Sequence, residues 1–218
     1  MRIDADILEK AQYWATSKDF DLETNREIQA LLNGQDHNEL LERFYRDLEF
    51  GTGGIRGVIG AGTSRINIFN VRKAATALGR YLLKIHPKSS TSMRIAITYD
   101  SRNWSRQFAE ASAGTLAGMG FQILLTRELR PVPFLSFLVR HYDCAAGICI
   151  TASHNPPSYN GFKVYWSNGG QLVPPHDKAL IDGYAEISSY SQLADNSLEE
   201  GLSGGKIQYV ESEVDDLY

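Results

Sequence analysis

Ser153 lies in the run Thr151-Ala152-Ser153-His154-Asn155-Pro156, where hydroxyl, imidazole and amide groups crowd one short polar stretch. A serine on a strand-to-loop turn can present its oxygen outward among hydrogen-bond donors, which suits nucleophilic attack or carriage of a phosphoryl group. The same run also reads as a polar turn in which Ser153 and Asn155 serve only local backbone groups. A hydrolase nucleophile is poorly supported, because no Gly-x-Ser-x-Gly elbow surrounds Ser153 and His154 is its immediate neighbour, badly placed to act as its base. His37, His86, His141 and His176 carry no spacing that would mark a distant base.

Two further segments have chemical potential. Phe50-Gly51-Thr52-Gly53-Gly54-Ile55-Arg56-Gly57 joins backbone freedom to a hydroxyl and a guanidinium, a composition that can wrap exposed amides around a phosphate. No Gly-Lys-Ser/Thr follows, so it is not a Walker loop, and without a ligand it would be a glycine turn with Arg56 in a surface ion pair. Asn160-Gly161-Phe162-Lys163 closely follows Ser153 and puts Lys163 at the head of an apolar strand. A partly desolvated amine there suits general acid or base work; a solvated lysine at a strand end is the plainer reading.

These groups need a scaffold, and the pattern from about residue 50 supplies one. The spacing predicts a helix on Val71, Ala74, Ala75, Leu78 and Leu82, a strand Met93–Tyr99, and a helix around Phe108–Met119 stopped by Gly120. A strand Phe121–Thr126, a short helix after Pro133, strands Ala145–Ile150 and Gly161–Trp166, and a helix from Pro174-Pro175 to about Ile187 follow. The alternation implies an α/β fold, a three-layer helix/sheet/helix with a mixed, mostly parallel sheet. Ligands then bind at the carboxyl ends of the strands. Asp100-Ser101-Arg102, Arg130-Pro131-Val132-Pro133 and Thr151–Pro156 stand at such ends.

Residues 1–49 carry helical periodicity and read as a helical N-terminal segment packed on the domain, with Thr24-Asn25-Arg26-Glu27 in capping-box form and Gly34 as a helix stop. The domain itself is expected over 50–190. Residues 191–218 turn Ser-, Gly- and Glu-rich, and Gly201-Leu202-Ser203-Gly204-Gly205 reads as part of a linker.

With 218 residues, 43% of them hydrophobic, the chain can bury a proper core. A formal charge of −4, with no five-residue run of like charge, offers no basic field for nucleic acid. The start Met1-Arg2-Ile3-Asp4-Ala5-Asp6 is acidic where a signal peptide is apolar, and no run of about 18 apolar residues suggests a membrane span, so a cytoplasmic location is expected. Cys144 and Cys149, five apart in an expected strand, should point to opposite faces and stay unpaired.

Together the three polar segments resemble the α-D-phosphohexomutase superfamily, whose Thr-x-Ser-His-Asn-Pro loop holds a phosphorylated serine. Thr151–Pro156, Gly51–Arg56 and Asn160–Lys163 match in the right order, and the likeness covers about residues 40–185. Lys163-Val164-Tyr165-Trp166-Ser167-Asn168-Gly169-Gly170-Gln171 and Pro175-His176-Asp177-Lys178 are most similar to the phosphoglucomutase/phosphopentomutase branch.

The resemblance implies a phosphosugar mutase that interconverts sugar 1-phosphate and 6-phosphate through phosphoserine 153 and a bisphosphate intermediate. It implies that Arg56 and Thr52 bind phosphate or the loop, that His154 binds or orients the phosphoryl group, and that Lys163 handles the hydroxyl proton. Asp100, Arg102, Asn155 and Asn160 would brace the site. Mg²⁺ would touch a phosphate oxygen on Ser153, and glucose 1,6-bisphosphate would act as activator. The superfamily's Asp-Gly-Asp-x-Asp-Arg metal loop, its sugar-contacting loop and its Arg-x-Ser-Gly-Thr phosphate loop belong to later domains and have no counterpart here. The chain therefore reads as an N-terminal fragment, inactive alone, whose partners are a sugar phosphate and the remaining domains of the same polypeptide. A non-catalytic sugar-phosphate-binding module is the alternative, and phosphomannose or phosphopentose are alternative substrates; the sequence sets no oligomeric state.

Overall fold

The computed structural model describes residues 4–34, 37–51, 54–87, 93–194, 196–210 and 212–218. Three helices come first, α1 (Ala5–Thr16), α2 (Leu22–Asn33) and α3 (His37–Phe44). Trp14 ties them to the domain. It stacks on Phe20 at 4.2 Å and meets Phe44 and Phe69 edge-on, and Phe69 lies on α4 (Ile68–Ile85). Asp21 caps α2 by accepting the Thr24 amide at 2.7 Å. Thr24 is therefore inside the first turn rather than at the head of a capping box, because an aspartate three residues earlier already satisfies its amide. Gly34 does end α2.

The six strands are β1 (Gly54–Val58), β2 (Arg94–Tyr99), β3 (Gln122–Thr126), β4 (Ala146–Ile150), β5 (Tyr159–Trp166) and β6 (Ile207–Val210). They form one sheet in the order β1-β5-β4-β2-β3-β6. β2 runs parallel to β3 and β4, and β3 parallel to β6, while β5 is antiparallel to both β4 and β1. The connections dictate this: helices α5 (Ser105–Gly118) and α6 (Val132–His141) return the chain for parallel pairing, whereas the short serine-bearing loop after β4 can only reverse it. The fold is the expected three-layer α/β/α arrangement. The larger core packs α4, α5 and α7 (His176–Glu186) on one face, with Ile95, Ile97, Ile148, Ile150, Phe162 and Val164 pointing into it. The smaller core lies under α6 on the other face.

Two expectations are corrected. Residues 198–210 are not linker: α8 (Leu198–Ser203) packs on α5, and β6 extends the sheet along β3. The glycine-rich composition has local uses, since Gly205 turns the chain at a φ of 66° and a Cβ at Gly201 would lie 2.3 Å from Ile207 Cδ1. The cysteines are free and buried but share one face. Cys144 precedes β4, so strand alternation does not apply to it, and both sit in the smaller core. Burial pushes the thiol of Cys144 up to about 12 and that of Cys149 up to about 11. Neither should react with iodoacetamide at pH 8 in the folded protein, and both should after unfolding in urea; fast labelling of either native thiol would contradict the packing.

Candidate active site

The polar side chains gather where β2 and β4 end. The Asp100 amide donates to Ile150 O at 3.2 Å, which locks the two strand ends together. The Asp100 carboxylate accepts from the Arg102 amide at 3.0 Å and from Ser105 Oγ at 2.7 Å, and stands 3.4 Å from Arg102 Nε. Ser105 Oγ in turn accepts from Asn160 Nδ2 at 2.9 Å, and that amide nitrogen also donates to Asn103 O at 2.9 Å. Asn160 is wholly buried, and its Oδ1 accepts the Gly161 amide at 2.8 Å. This chain of hydrogen bonds joins the end of β2, the start of α5 and the start of β5.

Arg102 uses that frame to hold the serine loop. Its Nη1 donates to Pro156 O at 3.1 Å and Tyr159 O at 3.2 Å; its Nη2 donates to Ser153 O at 2.5 Å and Asn155 O at 2.8 Å. A planar guanidinium has five N–H donors, and here four go to loop carbonyls while Nε faces Asp100. The carbonyls are thus turned toward Arg102. Ser153 itself is exposed and has a φ of 60°, in the left-handed region a non-glycine residue enters at a cost of about 1–2 kcal/mol. Its amide donates to Thr151 Oγ1 at 2.9 Å, which compensates part of that cost. Such strained residues cluster at functional sites.

Arg56 comes from the other side. On β1 it pairs with Gly161 of β5, and its Nη1 donates to Asn155 Oδ1 at 2.8 Å across 99 residues of sequence. Arg56 is exposed and its guanidinium makes no other hydrogen bond among the described residues, so its remaining side-chain N–H groups are open to solvent beside the loop. Lys163 pairs with Gly54 and with Cys149, two positions along β5 from Gly161, and so shares a sheet face with Arg56. It is half-buried. His154 is exposed next to Ser153. Thr52 lies outside the described residues.

The structure thus brings Ser153, Asn155, Arg56, Arg102, Asp100 and Asn160 into one hydrogen-bonded unit, and holds His154 and Lys163 at its margin without tying them to it. Ser105 was missed from the sequence. Its buried hydroxyl bridges Asp100 and Asn160, and the available signal was a serine at the start of a helix, five residues after an aspartate that ends a strand.

An α/β domain with a strained serine and a guanidinium bonded to the same loop could accept an anion there, and similarity gives it a family. The model of the family described as phosphoglucomutase/phosphomannomutase, alpha/beta/alpha domain I, matches residues 47–191. A phosphoribomutase from Saccharomyces cerevisiae is 33% identical over 222 residues, covering 99% of this chain and 35% of its own length. A phosphoglucomutase from Staphylococcus saprophyticus is 39% identical over 78% of this chain and 30% of its own, and a human phosphopentomutase 36% over 78% and 29%. Among solved structures, a Thermus thermophilus protein assigned as a phosphomannomutase matches with a TM-score of 0.62 and 31% identity, over 77% of this chain and 34% of that one. The chain belongs to the phosphoglucomutase/phosphomannomutase family and spans about a third of the length of these relatives.

Proposed function

We propose that the chain is the phosphoserine domain of a phosphosugar mutase of the phosphoglucomutase type. Ser153 passes a phosphoryl group to one hydroxyl of a sugar monophosphate, and the resulting bisphosphate returns its other phosphate to Ser153. The observation that carries this reading is the division of labour between two arginines. Arg102 is spent on the loop backbone, whereas Arg56 touches the loop with one N–H, through Asn155, and leaves its others open beside the loop that carries Ser153.

Phosphoryl transfer is mostly positioning and charge stabilisation. The bond from phosphorus to the sugar oxygen forms as the bond to Ser153 Oγ breaks. Lys163 handles the proton leaving the sugar hydroxyl, and Ser153 Oγ regains one. Arg56 neutralises phosphate oxygens and His154 orients the group, while Asp100, Arg102, Asn155 and Asn160 hold the loop. Thr52 would hydrogen-bond the loop or the ligand, a role that rests on the resemblance alone. Mg²⁺, when bound, offsets negative charge on the transferring group. Ser153, through its phosphate, would be the ligand this loop offers it. Among the described residues no group of three or more acidic, histidine or cysteine side chains is arranged to hold a metal, and Asp100 is engaged by Arg102 and Ser105. The metal's carboxylates and the sugar contacts would come from further domains of the polypeptide. The names of the relatives keep ribose and other pentose phosphates beside glucose phosphate as substrates.

The test is peptide mapping by mass spectrometry after the full-length polypeptide is incubated with Mg²⁺ and glucose 1,6-bisphosphate, the proposed activator. One phosphate is expected on the peptide holding Ser153, and none in Ser153→Ala. A bare Ser153 in folded protein would sink the mechanism and leave a sugar-phosphate-binding module.

A further inference from the structure

A second cationic site lies away from the serine loop. Between α1, α4 and the segment after α7 is a cavity of about 310 Å³, whose walls include Lys10, Trp14, Asp47, Lys73, Ser188 and Tyr190. None of its lining residues belongs to the serine loop or to the strands around it.

Lys73, on α4, forms the floor. It is only 6% exposed, yet its ammonium makes no hydrogen bond among the described residues. Its Nζ stands 4.5 Å from the centre of the Tyr184 ring and 4.0 Å from Asp47 Oδ2. An ammonium has three donors, and this one is not fully enclosed: the stem is buried and Nζ opens into the cavity. Among the described residues none of the hydroxyls lining the cavity accepts from Lys73: Thr63, Tyr190 and Tyr13 turn to Arg46 O, Asn70 Oδ1 and Asp19, and Ser189 pairs with Ser191. Asp47 is a poor partner, since its contacts with Lys73 and Lys10 are 4.0 Å and 3.7 Å and its side chain is more than half exposed, free to swing out. Burial pulls the proton affinity of Lys73 down, opposed by Asp47 and reinforced by Lys10; a bound anion would relieve both effects.

We propose that this cavity binds a small oxyanion, inorganic phosphate or the phosphoryl group of a phosphorylated metabolite, seated on Lys73 with Lys10 at the rim. Two ammoniums against one exposed carboxylate leave net positive charge, and the oxygens of the anion supply the acceptors that Lys73 lacks. Such a ligand would join α1, α4 and the chain after α7, and so control how firmly the N-terminal helices are docked.

The test is titration of the 218-residue chain with inorganic phosphate, followed by ¹H–¹⁵N spectra, in the parent, Lys73→Met, Lys10→Ala and Arg56→Ala. Saturable shifts are expected at the amides of Ser188–Tyr190. They should be lost in Lys73→Met, need roughly two- to fivefold more phosphate in Lys10→Ala, as befits one exposed charge, and be unchanged in Arg56→Ala. Glucose 6-phosphate separates the sources: equal or tighter binding marks a metabolite's phosphoryl group, and no binding marks free phosphate. No shift at these amides by about 50 mM phosphate, far weaker than any useful site, would overturn the proposal, as would full retention in Lys73→Met. Should Lys73→Met fail to fold, unaltered binding in Lys10→Ala would overturn it equally.

Discussion

Arg102→Ala in the full-length polypeptide is expected to slow phosphoryl transfer through Ser153 by roughly 100-fold or more, the scale of loss when a reacting group is displaced by about 1 Å. The side chain touches four carbonyls of the loop, at Ser153, Asn155, Pro156 and Tyr159, and no other described group spans them. Without it the carbonyls are free to rotate toward the position of the phosphate, where their lone pairs would repel it. Because Arg102 is spent on the backbone, KM for the sugar phosphate should stay within about threefold, whereas loss of Arg56, which the proposed mechanism sets against the phosphate, should move KM and kcat together. Arg102→Lys restores the charge as a single point and not the fork, so it should recover less than about a tenth of the lost rate. Global stability should fall by only about 1–3 kcal/mol, since several of the freed carbonyls can turn to water. The readout is the single-turnover rate of phosphate transfer from Ser153; a rate within about threefold of the parent would reduce Arg102 to a surface strut.

Gly161→Ala is expected to destabilise the fold by roughly 3 kcal/mol, the upper range for overpacking, and so to lower Tm by roughly 6–12 °C in a chain of this size. A Cβ at Gly161 would lie 2.6 Å from Thr151 O and 2.8 Å from Ile55 O. Both neighbours are backbone, Ile55 on β1 and Thr151 just past the end of β4, where its amide donates to Gly161 O, so neither can move without disturbing that pairing. Thr151 leads directly into Ser153, which links this position to the site: surviving folded protein should also carry phosphate on Ser153 more slowly. Thermal unfolding decides it, and a Tm within about 2 °C of the parent would show that the sheet can open at β5 to admit a methyl group.

The serine loop, the Arg56 segment and the strand Asn160–Trp166 were legible in the sequence because their chemistry is concentrated in short runs. Strands β2, β3 and β4 were legible because both faces are buried, so apolar residues run on almost without interruption. β6 was not. Ile207–Val210 is four residues long and becomes a strand only by pairing with β3, and the glycines before it imitate a linker while serving a tight turn and a close helix contact. Arg102 was expected to brace the site, but the partners it holds were hidden, since composition can mark an arginine at a strand end but not the carbonyls it will meet more than fifty residues later. Ser105 was hidden for the same reason. Nothing in the sequence singled out Lys73, because only the packing over α4 reveals that its side chain is enclosed.

The place of β1 at the sheet edge has a bearing on biosynthesis. Among the described residues β1 hydrogen-bonds to β5 and to no other strand, and Arg56 reaches Asn155 across 99 residues. A ribosome that has made β1, α4, β2 and even the serine loop has therefore not yet made the template on which Arg56 is aligned. The nascent polypeptide holds Ser153 without Arg56 in register until β5 has left the exit tunnel, so the two halves of the proposed phosphate site mature in one late event rather than by stages.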